Sequence, residues 1–268
     1  MTTGADMGFR RCWSGRLVLA LLAAGAGAVL FAVPAAAAAP RTTQLLVYAT
    51  REGLVGGITA NGHVIVPHDH FVSLPSWGAL SPEGTGTYSV RVCGVGRCVY
   101  EPVWDVGPWN THDDYWSPLR EQWRDLPLGV PEAQSAYQSG YHGGLDQYGR
   151  QVLNPAGIDL ADGAVWDGLR LPTDNRWVTV SMLWTGTGTQ GQIRTDGGPL
   201  NVRSGPGTGY ASVGLAGPLA RVPILCQVPG EPIAGLVAST RLWDRIGPGN
   251  YVSHGYVLMD GGVRPPRC

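Results

Sequence analysis

Two aspartates follow apolar runs at points where the chain then turns. Asp105 stands in VWDVGPWN (103–110), where a strand-like run meets Gly-Pro, and Asp159 stands in GIDLADG (157–163). A carboxyl group that is kept protonated near neutral pH beside an apolar wall can protonate a glycosidic oxygen. Two carboxyl groups can hydrolyse a glycoside with inversion or retention, depending on their separation. One carboxyl is enough if a hydroxyl group of the sugar itself attacks.

The same aspartates also have structural interpretations. An aspartate before Gly-Pro commonly accepts hydrogen bonds from turn amides, and an aspartate that precedes a helix commonly caps it. The sequence gives no distance between Asp105 and Asp159. Acid catalysis, sugar binding and a purely structural role therefore all stay open for this pair.

Aromatic residues cluster around Asp105 in the sequence. Trp104, Trp109 and Trp116 are candidates for an apolar wall and for a surface on which sugar rings stack. Trp177 and Trp184 belong to a strand-like run, and we expect both in the protein core.

Histidines add a weaker set of candidates. His68 and His70 in PHDH would face the same way in an extended chain, and His112 is followed by two aspartates. Because no further ligand is placed by spacing, we expect hydrogen-bonded side chains and no metal site. His70 is kept as a candidate substrate-binding residue.

Short strands and turns must position these residues. The run TYSVRVC (87–93) alternates as a half-buried strand does, and RWVTVSMLW (176–184) is rich in strand-forming residues. The segment Ser117–Tyr141 contains two helix-type starts, so it predicts one or two short helices. A short helix is also predicted near Val165, Trp166 and Leu169, whose spacing indicates a shared apolar face.

The first 39 residues predict an exported protein. Three arginines precede an apolar run, Leu17–Val33, and small residues follow it at Ala36–Ala39. This is the pattern of a cleaved secretory signal peptide, and an uncleaved membrane anchor is the alternative. We expect a secreted, cell-wall-associated product without a stable membrane span.

Composition and cysteine number narrow the class of protein. The chain has 40 glycines, 21 prolines and only 15% charged residues, which indicates short strands joined by turns. A formal net charge of −1 without a basic stripe argues against nucleic-acid binding. Beyond the signal peptide, an even number of cysteines favours disulfides, with free thiols as the alternative. Cys93 and Cys98 flank GVGR and form the local pair, which leaves Cys226 for Cys268.

Four motifs occur in an order that resembles the double-psi β-barrel of rare lipoprotein A and bacterial expansin-like proteins. They are GGITANGHVI, HFVSLP, VWDVGPWN and GIDLADGAVWDGL. The resemblance implies an all-β, six-stranded double-psi barrel over residues 41–184, with a short helical insertion at 110–157. It also implies that Asp105 and Asp159 match the aspartates that cleave glycans in some relatives and that polysaccharide-loosening relatives keep. The start VYATREG departs from the aromatic pair and glycine of the family.

The tail resembles a bacterial SH3-like barrel in LNVRSGPGTGYASVG and LWDRIGPGNYVSHGYV. This implies a small second domain at residues 193–268, after a flexible linker of Thr, Gly and Gln at 185–192. Such domains in exported proteins usually bind the cell wall, often peptidoglycan peptide. The residues expected near a peptide groove are Asn201, Arg203, Tyr210 and Tyr256, and Trp243 is expected to be buried.

Three functional hypotheses follow from these patterns. The first is a non-enzymatic or weakly active cell-envelope protein that binds and remodels peptidoglycan or polysaccharide. The second is a glycan-cleaving enzyme, above all a lytic transglycosylase, that uses Asp105 and Asp159. The third is a structural surface protein whose barrels bind other proteins. We expect no cofactor and a monomer.

Overall fold

The computed structural model describes residues 42–261 and 264–268, so the predicted signal peptide lies outside the described residues. These residues belong to one compact unit. No helix within the described ranges is long and apolar enough to cross a membrane.

Six strands close into a barrel. Each of them pairs with two others, in the cyclic order β1, β6, β3, β4, β2, β5 and back to β1. Two of the six pairs, β1 with β5 and β2 with β4, are parallel. Exchanging the first three strands with the last three leaves every pairing unchanged, and this internal two-fold connectivity is that of a double-psi β-barrel. The predicted barrel is confirmed. The strands are β1 (Thr43–Arg51), β2 (Val72–Leu74), β3 (Ser89–Gly94), β4 (Arg97–Val106), β5 (Ala156–Leu160) and β6 (Asn175–Met182).

Alternating β-branched residues fill the barrel interior. Val90 and Val92 of β3 are fully buried, as the alternation predicts, and Val178 and Val180 of β6 meet them in the same core. A barrel of this size has room only for side chains, so the interior is packed. Trp177 was predicted to lie in this core and that is wrong, because alternation turns it outward with 39% of its surface exposed.

The insertion between β4 and β5 contains one α-helix, α1 (Glu132–Ser139), which ends at the left-handed Gly140. The helix predicted for the SPLREQWRDL run (117–126) does not form, and turns take its place. Trp123 has a positive φ of 49°, and Leu126 precedes a proline, which disfavours helical geometry. The insertion is fastened by a buried ion pair between Asp113 and Arg120.

A π-helical turn, Ala164–Leu169, follows β5. Val165 and Leu169 are buried against the barrel, as predicted, whereas Trp166 is 37% exposed. The shared apolar face therefore consists of two residues instead of three.

Eight further strands build the C-terminal region, which we define as residues 190–268. Strands β11, β12, β13, β8 and β9 form one sheet, and β9 continues it into the barrel by pairing in parallel with β4. Strands β10, β7 and β14 form a second sheet. Gln190–Gln192, predicted as flexible linker, lie in β7. The strands are β7 (Gln190–Ile193), β8 (Leu200–Arg203), β9 (Ser212–Ala216), β10 (Arg221–Pro223), β11 (Cys226–Ala234), β12 (Ser239–Gly247), β13 (Asn250–Ser253) and β14 (Val257–Met259).

Both predicted disulfides are confirmed. Cys93 and Cys98 face each other in the hairpin of β3 and β4, and Cys226 bonds to Cys268. Trp243 is buried, as predicted, with 2% of its surface exposed. The assignment of the C-terminal region to SH3-like barrels stays a prediction.

Candidate functional site

A row of polar side chains crosses five adjacent strands at one end of the barrel. The register pairs Asp105 of β4 with Ser73 of β2, Ser73 with Asp159 of β5, and Asp159 with Thr50 of β1. Thr50 in turn pairs with Asn175 of β6. All five residues line an open cleft with a volume of about 750 Å³. The two predicted aspartates therefore belong to one site although 54 positions separate them.

Asp105 combines both roles that the sequence left open. Its Oδ1 accepts hydrogen bonds from the backbone N–H of Ala60 at 2.7 Å and of Val106 at 2.9 Å, so it orders the neighbouring turn. Strand β4 ends at Val106, where Gly-Pro follows. The side chain nevertheless lines the cleft, which leaves it available to a ligand.

Asp159 is the more deeply placed of the two aspartates. The hydroxyl group of Thr50 donates a hydrogen bond to its Oδ1. Burial raises the pKa of Asp159 to about 7; the bond from Thr50 opposes this increase and the nearby charge of Asp105 adds to it. A carboxyl group with such a pKa is present in both protonation states near neutral pH, which general acid–base chemistry requires.

Glu52 is a third carboxyl group of the cleft, and the sequence interpretation missed it. The hydroxyl group of Ser73 donates to its Oε2 at 2.5 Å. Burial raises the pKa of Glu52 to about 9, and the hydrogen bond with Asp105 raises it further, whereas the bond from Ser73 lowers it. Glu52 is thus a neutral hydrogen-bond donor at pH 7. Its signal in the sequence was its place in VYATREG, two positions after Thr50.

The insertion supplies part of the lining of the cleft. Trp109 has a positive φ of 61°, and its Nε1 donates to Asn154 at 3.0 Å. Tyr148 is 57% exposed, and the Arg150 guanidinium lies 5.0 Å from its ring centroid. Arg150 also donates to the backbone oxygen of Trp109 at 2.8 Å. The insertion therefore contributes aromatic rings to the same open cleft as the polar row.

Three predicted binding residues are buried elsewhere. Trp116 is 7% exposed in the barrel core, and Trp104 is equally buried and donates to the backbone oxygen of Thr85 at 2.8 Å. His70 is 3% exposed and its Nδ1 lies 2.9 Å from Glu101. Neither tryptophan nor the histidine lines the cleft, so their assignment to substrate binding is wrong. Neighbouring strand positions point to opposite faces, which separates Trp104 from Asp105.

The remaining histidine candidates form isolated pairs with acidic residues. His68 lies 2.8 Å from Asp167, and His112 lies 2.8 Å from Glu121. Within residues 42–261 and 264–268, no group of three or more His, Cys, Asp or Glu side chains could hold a metal ion.

A second groove, of about 480 Å³, lies in the C-terminal region and includes three of the four residues predicted there: Asn201, Arg203 and Tyr256. Tyr210 does not line it; the ring packs over Gly205 and is 50% exposed. Arg203 donates to the backbone oxygens of Thr208 and Tyr210 at 2.8 and 2.9 Å. Asp196 also lines the groove, so one negative charge balances the positive charge of its arginine.

Fold and site together define a double-psi β-barrel protein with a carboxyl-lined cleft. Residues 40–181 match the family described as "Domain of unknown function (DUF8814)", and the chain belongs to that family. It is also 36% identical over 52 residues to the "Uncharacterized protein YraJ" of Bacillus subtilis. That match covers 19% of this chain and 44% of the relative, so the chain spans less than half of the relative's length.

Two solved structures are similar to the chain. The "Streptomyces papain inhibitor (SPI)" shares 14% identity at a TM-score of 0.29, over 52% of this chain and 92% of that one. A mutant expansin from Clavibacter michiganensis, solved in complex with cellohexaose, shares 11% identity at a TM-score of 0.28, over 82% and 96%. Since both TM-scores lie below 0.5, the function below rests on the site itself.

Proposed function

We propose that this protein is a secreted cell-envelope protein that binds polysaccharide, and peptidoglycan in particular, in the barrel cleft. The observation that carries the proposal is that hydrogen-bonding groups and aromatic rings line the same cleft. Asp105, Ser73 and Asp159 supply the hydrogen-bonding groups, and Trp109 and Tyr148 supply the aromatic rings. A sugar ring has hydroxyl groups at its edge and apolar C–H faces, so it matches both kinds of group.

The dimensions of the cleft also suit a glycan. Its volume of about 750 Å³ falls within the range of small-molecule sites, and it is open to solvent. An open cleft admits a chain that continues beyond the bound segment, as a polymer must.

The remaining parts of the proposal concern location and domain roles. Two disulfides favour an oxidising compartment, which supports export after removal of residues 1–39. We assign residues 193–268 to an SH3-like barrel that contacts the peptide part of the wall through Asn201, Arg203 and Tyr256. The protein acts as a monomer and needs no cofactor for binding.

Glycan cleavage is the second candidate function, favoured by the pKa of Asp159, which burial raises to about 7. The protonated Asp159 carboxyl would donate its proton to the glycosidic oxygen as the bond to the anomeric carbon breaks. Either water attacks that carbon and gives its proton to the Asp105 carboxylate, or a hydroxyl group of the sugar attacks and gives its proton to the Asp159 carboxylate that has just formed.

One experiment tests both functions. Purified cell-wall sacculi are incubated with the protein, and pelleting and soluble muropeptides are measured together. Trp109→Ala should reduce pelleting about tenfold, because loss of one aromatic contact removes about 1.5 kcal/mol. Trp177→Ala is the matched control, since Trp177 is exposed but does not line the cleft. Its pelleting should equal that of the wild type.

The outcomes separate the hypotheses. Pelleting without fragments supports binding and rejects cleavage. Fragments that disappear in Asp159→Asn support cleavage, whereas fragments that persist in this variant reject the catalytic assignment. If the protein neither pellets nor releases fragments, the wall proposal is wrong and a structural surface protein becomes the better hypothesis.

A further inference from the structure

A second cavity, of about 590 Å³, lies where the π-helical turn and β4 meet the C-terminal region. The proposed function uses neither of its arginines. Its polar and aromatic lining is supplied by Arg97, Trp166, Asp167, Arg170, Asn201 and Ser212. We call it the arginine pocket.

Arg97 is held in place but incompletely satisfied. Its Nε donates to the backbone oxygen of Gly168 at 2.6 Å, and its Nη1 donates to that of Ser212 at 2.7 Å. Its Nη2 is buried and has no hydrogen-bond partner in the described part of the chain. A buried donor without an acceptor is costly, and the charge of Arg97 is therefore not fully compensated within the fold.

Arg170 adds a second positive charge at the same place. It is exposed at the end of the π-helical turn, and its charge, together with the larger effect of burial, lowers the pKa of Arg97. Within the described ranges, neither arginine forms an ion pair. Asp167 lines the same pocket but is hydrogen-bonded to His68 at 2.8 Å. The pocket lining therefore carries two positive charges and one negative charge, which leaves an excess of one positive charge.

Trp166 gives the arginine pocket an aromatic side. It is 37% exposed, although the positions on either side of it in the turn mostly face the core. The Arg51 guanidinium lies 5.9 Å from its ring centroid. An indole that is partly exposed beside two arginines provides a surface for a sugar ring next to a site for an anion.

We infer that the arginine pocket binds an acidic saccharide, whose oxyanion contacts Arg97 and Arg170 while its ring packs on Trp166. The oxyanion compensates the two guanidinium charges that line the arginine pocket. Carboxylate and phosphate share this chemistry. Because the pocket is separate from the barrel cleft, this inference does not depend on the proposed function.

Binding of charged and uncharged oligomers to the purified full chain tests the inference by calorimetry. The probes are oligogalacturonate, its fully methyl-esterified form and an oligomer of glycerol phosphate. Arg170→Gln should weaken binding of a charged oligomer at least about tenfold, because it removes a charge-assisted hydrogen bond. Trp166→Ala should weaken oligogalacturonate binding several-fold. The matched control is Arg241→Gln in β12, an exposed arginine that lines none of the cavities described above.

Each outcome decides the inference. If Arg170→Gln weakens binding of oligogalacturonate alone, the ligand is a carboxylate; if it weakens binding of glycerol phosphate alone, the ligand is a phosphate. Each of these results supports the inference. If binding of both oligomers is weakened, the pocket is a general oxyanion site, which also supports the inference. It is overturned if Arg170→Gln binds as the wild type does, if the esterified oligomer binds equally well, or if no oligomer binds. Unchanged thermal unfolding of Arg170→Gln excludes misfolding as the cause. Asp159→Asn should leave this binding intact, which separates it from failure in the cleft.

Discussion

The barrel and the C-terminal region hold their strands in different ways. Every barrel strand has two neighbours, so the sheet closes on itself and has no free edge. In the C-terminal region, β11 lies at the edge of its sheet, and Cys226 at its start is bonded to Cys268. The barrel is thus secured by closure, whereas the C-terminal region depends on a covalent link and on its attachment to β4.

The two regions also treat buried charge differently. The cleft gathers Glu52 and Asp159, which are bonded to hydroxyl groups, and Asp105, which is bonded to backbone amides; none of the three forms an ion pair in the described contacts. In the C-terminal region the buried Asp244 is paired with His254 at 2.8 Å, and this hydrogen bond raises the pKa of His254. Buried carboxyl groups without a cationic partner destabilise the folded barrel when they ionise, and they suit a site for proton transfer. A buried carboxylate with a cationic partner suits a purely structural role.

The largest expected effect contrasts the two disulfides. Replacing Cys226 and Cys268 by serine opens a link across 42 positions, against five for Cys93 and Cys98. Chain entropy predicts losses in the free energy of unfolding of about 4 and about 2 kcal/mol respectively. Urea denaturation of both double variants measures the difference. Equal losses in the two double variants would contradict this contrast between the closed barrel and the disulfide-linked C-terminal region.

The next effect concerns the attachment between the regions. A Cβ at Gly214 of β9 would lie 1.7 Å from the backbone oxygen of Cys98, so Gly214→Ala should force the strands apart. We expect a loss of about 3 kcal/mol in the free energy of unfolding. Gly209→Ala is the control, because nothing lies within 4 Å of a Cβ there. If the C-terminal region instead unfolded separately, two transitions in urea would replace one.

A smaller effect tests the protonation of the Glu52 carboxyl group in the cleft. Glu52 has a pKa raised by burial to about 9, so its contribution to stability is complete below its ordinary pKa and is lost as the pH rises toward 9. Glu52→Gln keeps a hydrogen-bond donor toward Asp105 and removes the titration. At about pH 9 the variant should be more stable than the wild type by about 2 kcal/mol.

Thermal unfolding across this pH range measures the effect. Glu83→Gln, at an exposed glutamate outside the cleft, should follow the wild-type curve. A wild-type curve that stays flat between about pH 5 and about pH 9 would contradict the protonated state of Glu52.

Strand alternation and short motifs predicted the barrel strands and part of the cleft. Alternation placed Val90 and Val92 inside, and the two aspartate motifs located one wall of the cleft. The same local rules failed in the insertion, where Trp116 entered the core and Trp109 reached the cleft. No periodicity governs a segment of turns, so long-range packing decides which aromatic residue is buried.

Glu52 shows why the site was only partly predictable. In the sequence it lies in VYATREG, which departs from the family pattern, and nothing there predicted a role for Glu52. The register shows instead that β1 brings Thr50 beside Asp159, which carries Glu52 into reach of Ser73. A strand pairing between residues about a hundred positions apart creates this contact, and a single sequence does not report such pairings.

The smallest effect examines the C-terminal groove. Arg203→Ala removes two hydrogen bonds to the backbone oxygens of Thr208 and Tyr210, and we expect a loss of about 1 kcal/mol in the free energy of unfolding. Because backbone oxygens do not titrate, the loss should be the same at about pH 5 and about pH 9. Urea denaturation at both pH values measures it, with Arg241→Ala as an exposed control in the same region. If the loss in the free energy of unfolding changed between these pH values, the groove would contain a titrating group. The contrast between the titrating carboxyls of the cleft and the neutral groove would then be wrong.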